Sequence, residues 1–91
     1  MKTGIELIAE ERQKQIEKHG RTVELDVKQN HKRQLRDATM KLICITAKIS
    51  DPPIDWNFSI WDKMRNKPIK ERLIIAGALI AAELDRLNHI D

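Results

Sequence analysis

Apolar residues recur at helical spacing along three stretches of this chain, and the breaks between them are polar or carry proline. The first stretch is Ile5, Ile8, Ala9 and Ile16. Thr3-Gly4-Ile5-Glu6 opens it as a capping box, in which the Thr hydroxyl and the Glu carboxylate satisfy the first free amides, and Gly20 supplies the stop. The pattern predicts helix 1 from about Thr3 to His19. A polar connector, Gly20 to Gln29, leads to Leu35, Ala38, Leu42, Ile45 and Ile49, with Met40, Ile43 and Ala47 widening the arc. Helix 2 is expected from Asn30 to Lys48, ended by Ser50-Asp51-Pro52-Pro53, because proline lacks an amide and its ring clashes with the preceding turn.

Ile54, Trp56, Phe58 and Ile60 alternate as a short strand would, yet no second strand is available to pair with them. They are expected to form an ordered loop that pins Trp56 and Trp61 against the helices. Pro68 suits a first helical position, and helix 3 follows from Ile69 to Leu87. Its small residues Gly77, Ala78, Ala81 and Ala82 allow close approach of helix 2 or of a second copy of helix 3. The expected architecture is all-α: one domain over residues 1–91, a three-helix body with a Trp-containing loop between helices 2 and 3, assembled as a helical oligomer.

Two charges interrupt the apolar pattern. Arg12 falls in the middle of the helix 1 stripe, and Glu83 lies between Leu79 and Leu87. A charge in such a place is paired or used. Either Arg12 and Glu83 bridge each other and fix how helix 1 lies on helix 3, or they face a pocket where Arg12 holds a phosphate and Glu83 binds a metal or orients water.

Composition narrows the classes. Of 91 residues, 34% are charged and 41% apolar, with one Phe, two Trp and no Tyr, the profile of a helical protein small enough for self-association to help bury its apolar surface. Cys44 has no cysteine partner for a disulfide and reads as a small rim residue. Met1 to Gly4 shows no apolar signal region, and the longest apolar run, Leu73 to Ala82, is far short of the ~20 residues that span a bilayer. A cytoplasmic location is expected. Residues 12–41 hold nine Lys and Arg against four acids, so the net charge of +3 is concentrated there and suggests an anionic partner. The basic run Lys28 to Arg36 sits where helix 2 is expected to begin, a place whose free amides attract phosphate. No nucleic-acid motif is present, and so small a net charge suits nucleic acid poorly. Glu6, Glu10 and Glu17 lie on one side of helix 1, where a spacing of four would let neighbouring carboxylates share a divalent ion; they are also off the apolar stripe, where acids solvate a helix and pair with Lys14 or Lys18. His19, His31 and His89 lack metal-ligand spacing, and Ser and Thr have no evident base nearby.

Two segments carry a family resemblance. Glu11-Arg12-Gln13-Lys14-Gln15-Ile16, followed by Gly20, Thr22, Glu24 and Asp26, and the run Ala76-Gly77-Ala78-Leu79-Ile80-Ala81-Ala82-Glu83-Leu84-Asp85-Arg86-Leu87 resemble a family of small phage and prophage proteins. Its members read E-R-Q-R-Q-I, then G-W-T-P-E-H-D-D, a Trp-rich loop with K-P, and K-A-G-A-L-I-x-A-E-I-x-R-L. That family is in turn distantly similar to the MazG-type all-α nucleotide pyrophosphatases, whose acidic helices hold magnesium. Arg21 stands here where the family has Trp, Leu25 where it has His and Val27 where it has the second Asp. Carried over residue by residue, Arg12, Gln13, Glu24, Asp26 and Glu83 remain.

The resemblance implies a phage-type protein in the host cell cytoplasm; because the replaced positions leave fewer carboxylates than metal-dependent hydrolysis recruits, the expectation is that it binds a phosphorylated nucleotide without turning it over and sequesters a host defence signal. Arg12, Arg21, Lys32, Arg33 and Arg36 are the expected phosphate contacts, with Trp56 or Trp61 stacking on the base. No cofactor is expected on that reading. The rival is a magnesium-dependent pyrophosphatase with Glu10, Glu11, Asp26 and Glu83 as ligands. A third possibility is an inhibitor that docks on a host defence protein through its basic face or Trp loop.

Overall fold

Thr3 opens α1 (Gly4–His19) through the expected capping box: its hydroxyl accepts from the Glu6 amide at 3.2 Å, and the Glu6 carboxylate accepts from the Thr3 amide at 3.0 Å. The computed structural model describes residues 1–44 and 51–90. Among these residues there are five helices and no strand, so the all-α expectation holds while the three-helix body does not. Gly20, at φ 65°, ends α1 in the left-handed region that favours glycine.

The connector after Gly20 is itself helical. Thr22 accepts from the Leu25 amide at 3.3 Å and caps α2 (Val23–Gln29), with Glu24 and Asp26 in the first turn. α3 (Gln34–Ile43) therefore starts later than Asn30, which instead closes α2. The Gln34 side chain spans the intervening turn, accepting from the Lys32 amide at 2.7 Å and donating to the Gln29 carbonyl at 2.9 Å. Arg33 takes a positive φ of 68° there. The expected continuation of this helix through Ile45, Ala47, Lys48 and Ile49 lies outside the described residues.

The alternating Trp segment is not wholly a loop. Asn57 caps α4 (Phe58–Arg65) by accepting from the Ile60 amide at 3.1 Å. Helical rotation sends Trp61 into the core and Phe58 and Ile60 to the surface. α5 (Ile69–Ile90) begins where Pro68 predicts, with the Arg72 amide donating to the Pro68 carbonyl at 3.0 Å. None of the described helices is long and apolar enough to cross a membrane.

Every other helix packs on α5, while α1 and α3 do not touch each other. They lie on its opposite flanks. On one flank Gly77 meets Ile8 and Asp85 meets Arg12; on the other Glu83 meets Arg36, and Arg72 reaches the end of α3. α2, α4 and the Trp rings cover one side of this α1–α5–α3 layer, giving a body of 33 × 33 × 21 Å. Leu35, Ala38, Leu42, Trp61, Ile75, Ala76, Leu79 and Ala82 form the core. Met40 and Ile43 are exposed, which corrects their expected place in the buried arc. The buried face of α1 is also rotated from expectation, enclosing Arg12 and Gln15 and leaving Ile5 in solvent.

The small residues of α5 accept α1 at Gly77. A Cβ built at Gly77 falls 2.5 Å from Ile8 Cδ1 and 2.7 Å from Cγ1. Gly77→Ala should thus lower stability despite the roughly 1 kcal/mol that alanine gains over glycine in a helix, because overpacking costs about 1–3 kcal/mol. In an Ile8→Ala background the same change should instead stabilise by roughly 1 kcal/mol, a reversal of sign measurable by urea denaturation.

Candidate functional site

The turn at Gly20 brings Arg21 to the middle of the covered side. Its amide donates to the Gln15 carbonyl at 3.0 Å, and its carbonyl accepts from Arg12 Nη1 at 3.0 Å, so the backbone of Arg21 is held from both directions. The guanidinium lies over the Trp56 ring, 4.8 Å from its centroid. Trp56 is fixed in turn: its indole nitrogen donates to Asn30 Oδ1 at 2.8 Å, and Asn30 Nδ2 donates to Asp26 Oδ1 at 2.7 Å. Trp61 meets Trp56 edge to face at 6.4 Å.

Arg21 lines two adjoining cavities, of about 580 and 490 Å³, each in the range of small-molecule sites. The larger lies between α1, α4 and α5. Its cations are Lys14, Arg21, Lys63 and Lys67, set against Glu11 and Glu71, and His19 also lines it. Ile60, Met64, Ile74 and Ile75 supply its apolar lining. The smaller cavity adds Lys28, His31, Asp26 and Trp56. Among the described residues Arg21, Lys14 and Lys63 form no ion pair. Burial lowers the pKa of the Arg21 guanidinium and Arg12 adds to that, while Asp26 and Glu11 oppose it. Arginine remains charged under such a shift.

Arg12 and Glu83 are both buried but do not pair with each other. Arg12 Nη2 reaches Asp85 at 3.4 Å, whereas Glu83 accepts from Arg36 Nε at 2.7 Å and from Arg86 Nε at 2.6 Å. The bridge that the sequence suggested is thus replaced by two, one to each flank of α5. Burial alone would raise the Glu83 pKa, but the hydrogen bonds and charges of Arg86 and Arg36 outweigh it and bring it below the ordinary carboxylate value. Asp26 is different. Its Oδ2 is buried without a hydrogen-bond partner, and desolvation raises its pKa although Asn30, Arg12 and Arg21 favour the charged form.

The remaining expected residues are dispersed. Gln13 is exposed and donates to Glu17, Glu24 is exposed on α2, and Lys32 pairs with Asp55 at 3.6 Å. Arg33 is exposed in the turn before α3, and Arg36 is committed to Glu83. Trp61 is fully enclosed, so it presents no face to a base. Of the expected metal ligands, Glu10 pairs with Lys2, Glu11 accepts from Gln15 at 3.4 Å, and Asp26 and Glu83 have the partners already described. Among the described residues no three acidic, His or Cys side chains gather as a metal site.

Sequence reasoning missed Lys14, Lys63 and Lys67 as cleft cations, His19 as a cleft residue, Asn30 as the link to Trp56, and Arg72, whose Nη1 donates to the Leu42 and Cys44 carbonyls at the end of α3. Arg86 was legible, since it follows Glu83 by one helical turn. No family model, curated protein or solved structure matches the chain.

The raised pKa of Asp26 fixes the sign of a pH effect. Between its unfolded and folded values the folded state holds the extra proton, so this group's contribution to stability falls as pH rises through that window. The melting temperature of Asp26→Asn relative to the unsubstituted protein should therefore increase from pH 4 to pH 7. A thermal melt series monitored by circular dichroism measures it.

Proposed function

We propose that this chain binds a phosphorylated nucleotide in the cleft beside Arg21 and does not turn it over. The observation that carries the reading is Arg21 itself: a partly desolvated guanidinium with no ion pair among the described residues, held at the junction of two cavities. Removing a cation from water is unfavourable unless an anion repays the cost, and a planar guanidinium suits phosphate oxygens. Lys14 and Lys63 extend the positive wall, while Ile60, Met64 and Ile75 offer an apolar surface for a base. Trp56 serves this site by holding the Arg21 guanidinium. Arg12 acts through Arg21, by fixing its carbonyl, and Arg36 acts through Glu83.

Binding without turnover is favoured because Glu83 is held by two arginines and Asp26, tied to Asn30 through one oxygen, belongs to no metal-binding group of acidic, His or Cys side chains among the described residues. The likeness of residues 11–16 and 76–87 to small phage proteins supports a phage setting. There the protein would withdraw a nucleotide signal of host defence in the host cell cytoplasm.

Native mass spectrometry of the protein purified from defence-active cells, with heat release of the bound molecule, should find one nucleotide per site. Arg21→Met keeps an apolar stem over Trp56 but removes the charge. It should weaken nucleotide binding about 10- to 100-fold in calorimetry, the loss of one set of charge-assisted hydrogen bonds, with helicity unchanged. Phosphate release that needs magnesium and stops with a chelator would replace this reading by the pyrophosphatase. A stable complex with a host protein and no small ligand would replace it by the inhibitor.

A further inference from the structure

The opposite side of the α1–α5–α3 layer is open and apolar. Ile69, Leu73, Ile80 and Leu84 fall within about 60° of one another around α5, and with Met40 and Ile43 of α3 they expose 49–64% of their surfaces. No charged residue lies on that arc of α5 from Ile69 to Leu87. A helical layer with such a face is normally covered by a second layer. The chain exposes 6067 Å² at a mass of 10.6 kDa, where a folded monomer of this size shows about 5,500 Å². The excess of roughly 570 Å² is about seven tenths of the ~800 Å² that each partner loses in a standard interface.

The order of the residues identifies the partner. Ile69 and Leu84 are equally distant from the point between Ala76 and Gly77, and so are Leu73 and Ile80. Rotating a second α5 by a half turn about that point sets Ile69 against Leu84 of the copy, and Leu73 against Ile80. Ala76 and Gly77 lie beneath this point, Ala76 in the core and Gly77 covered by Ile8, so the contact is made by the aliphatic side chains of Leu73 and Ile80 on either side. An isologous interface requires this self-complementarity, and an unrelated partner does not. From this we infer that the open face is a two-fold interface between copies of this chain, made by antiparallel α5 helices that meet through Ile69, Leu73, Ile80 and Leu84. It leaves the Arg21 cleft on the far side of the layer from the interface and does not depend on the nucleotide reading.

Sedimentation equilibrium of the full chain should give an even multiple of 10.6 kDa. Leu73→Glu or Leu84→Glu should halve the solution mass and raise the dissociation constant at least about 100-fold, since a two-fold axis places each substitution in the interface twice. Circular dichroism should show the helices intact. In a Cys44→Ser background, Leu73→Cys combined with Ile80→Cys should form an intermolecular disulfide on mild oxidation, and Leu73→Cys alone should not. A monomeric parent protein, a mass untouched by both glutamate variants, or equal cross-linking of Leu73→Cys by itself would overturn the inference.

Discussion

Because α1, α2 and α3 each pack on α5 and not on one another, their positions are set by how each packs on α5, and α4 lies against both α3 and α5. Three charged residues of α5 carry that registration. Arg72 holds the carbonyl end of α3, Glu83 holds its first turn through Arg36, and Asp85 receives Arg12 from α1. Buried charges of this kind add little net stability, since desolvation consumes much of the attraction, but removing one partner leaves a costly charge behind. Their effect is to disfavour slipped or rotated packings in which Arg12 or Glu83 would be buried alone.

The same constraint builds the cleft. Arg12, fixed against α5, donates to the Arg21 carbonyl; Arg21 lies on Trp56; Trp56 is tied through Asn30 to Asp26. Groups from α1, α2 and the segment before α4 thus meet at one cation. Each link is a short hydrogen bond or a ring contact on a residue set at a helix end, so the guanidinium is positioned before any ligand arrives. Such preorganisation reduces the ordering cost of binding.

The two faces of the central layer have opposite character. The covered face carries charges around two cavities, whereas the open face carries half-exposed aliphatic side chains and no charge along α5. This division suits a small chain. Its limited core leaves apolar surface over, and assembly through one face can bury that surface without obstructing a polar site on the other.

The sequence by itself determined what depends on neighbours along the chain. The Thr3 capping box, the Gly20 stop, the start of α5 after Pro68 and the burial of Arg12 and Glu83 were all legible, because caps, turns and helical periodicity act over a few residues. Arg21 and Asp26 were also singled out, but without their arrangement. Only the tertiary structure decided the partners of Arg12 and Glu83, which depend on the rotation of each helix against α5 and fell to Asp85, Arg36 and Arg86. It also decided that the Trp segment turns helical after Asn57, which buries Trp61, keeps Trp56 for Arg21 and brings Lys63 and Lys67 to the cleft. Spacing within one helix cannot show such contacts, since they form between side chains far apart in the chain that are brought together only when α5 gathers the other helices around it.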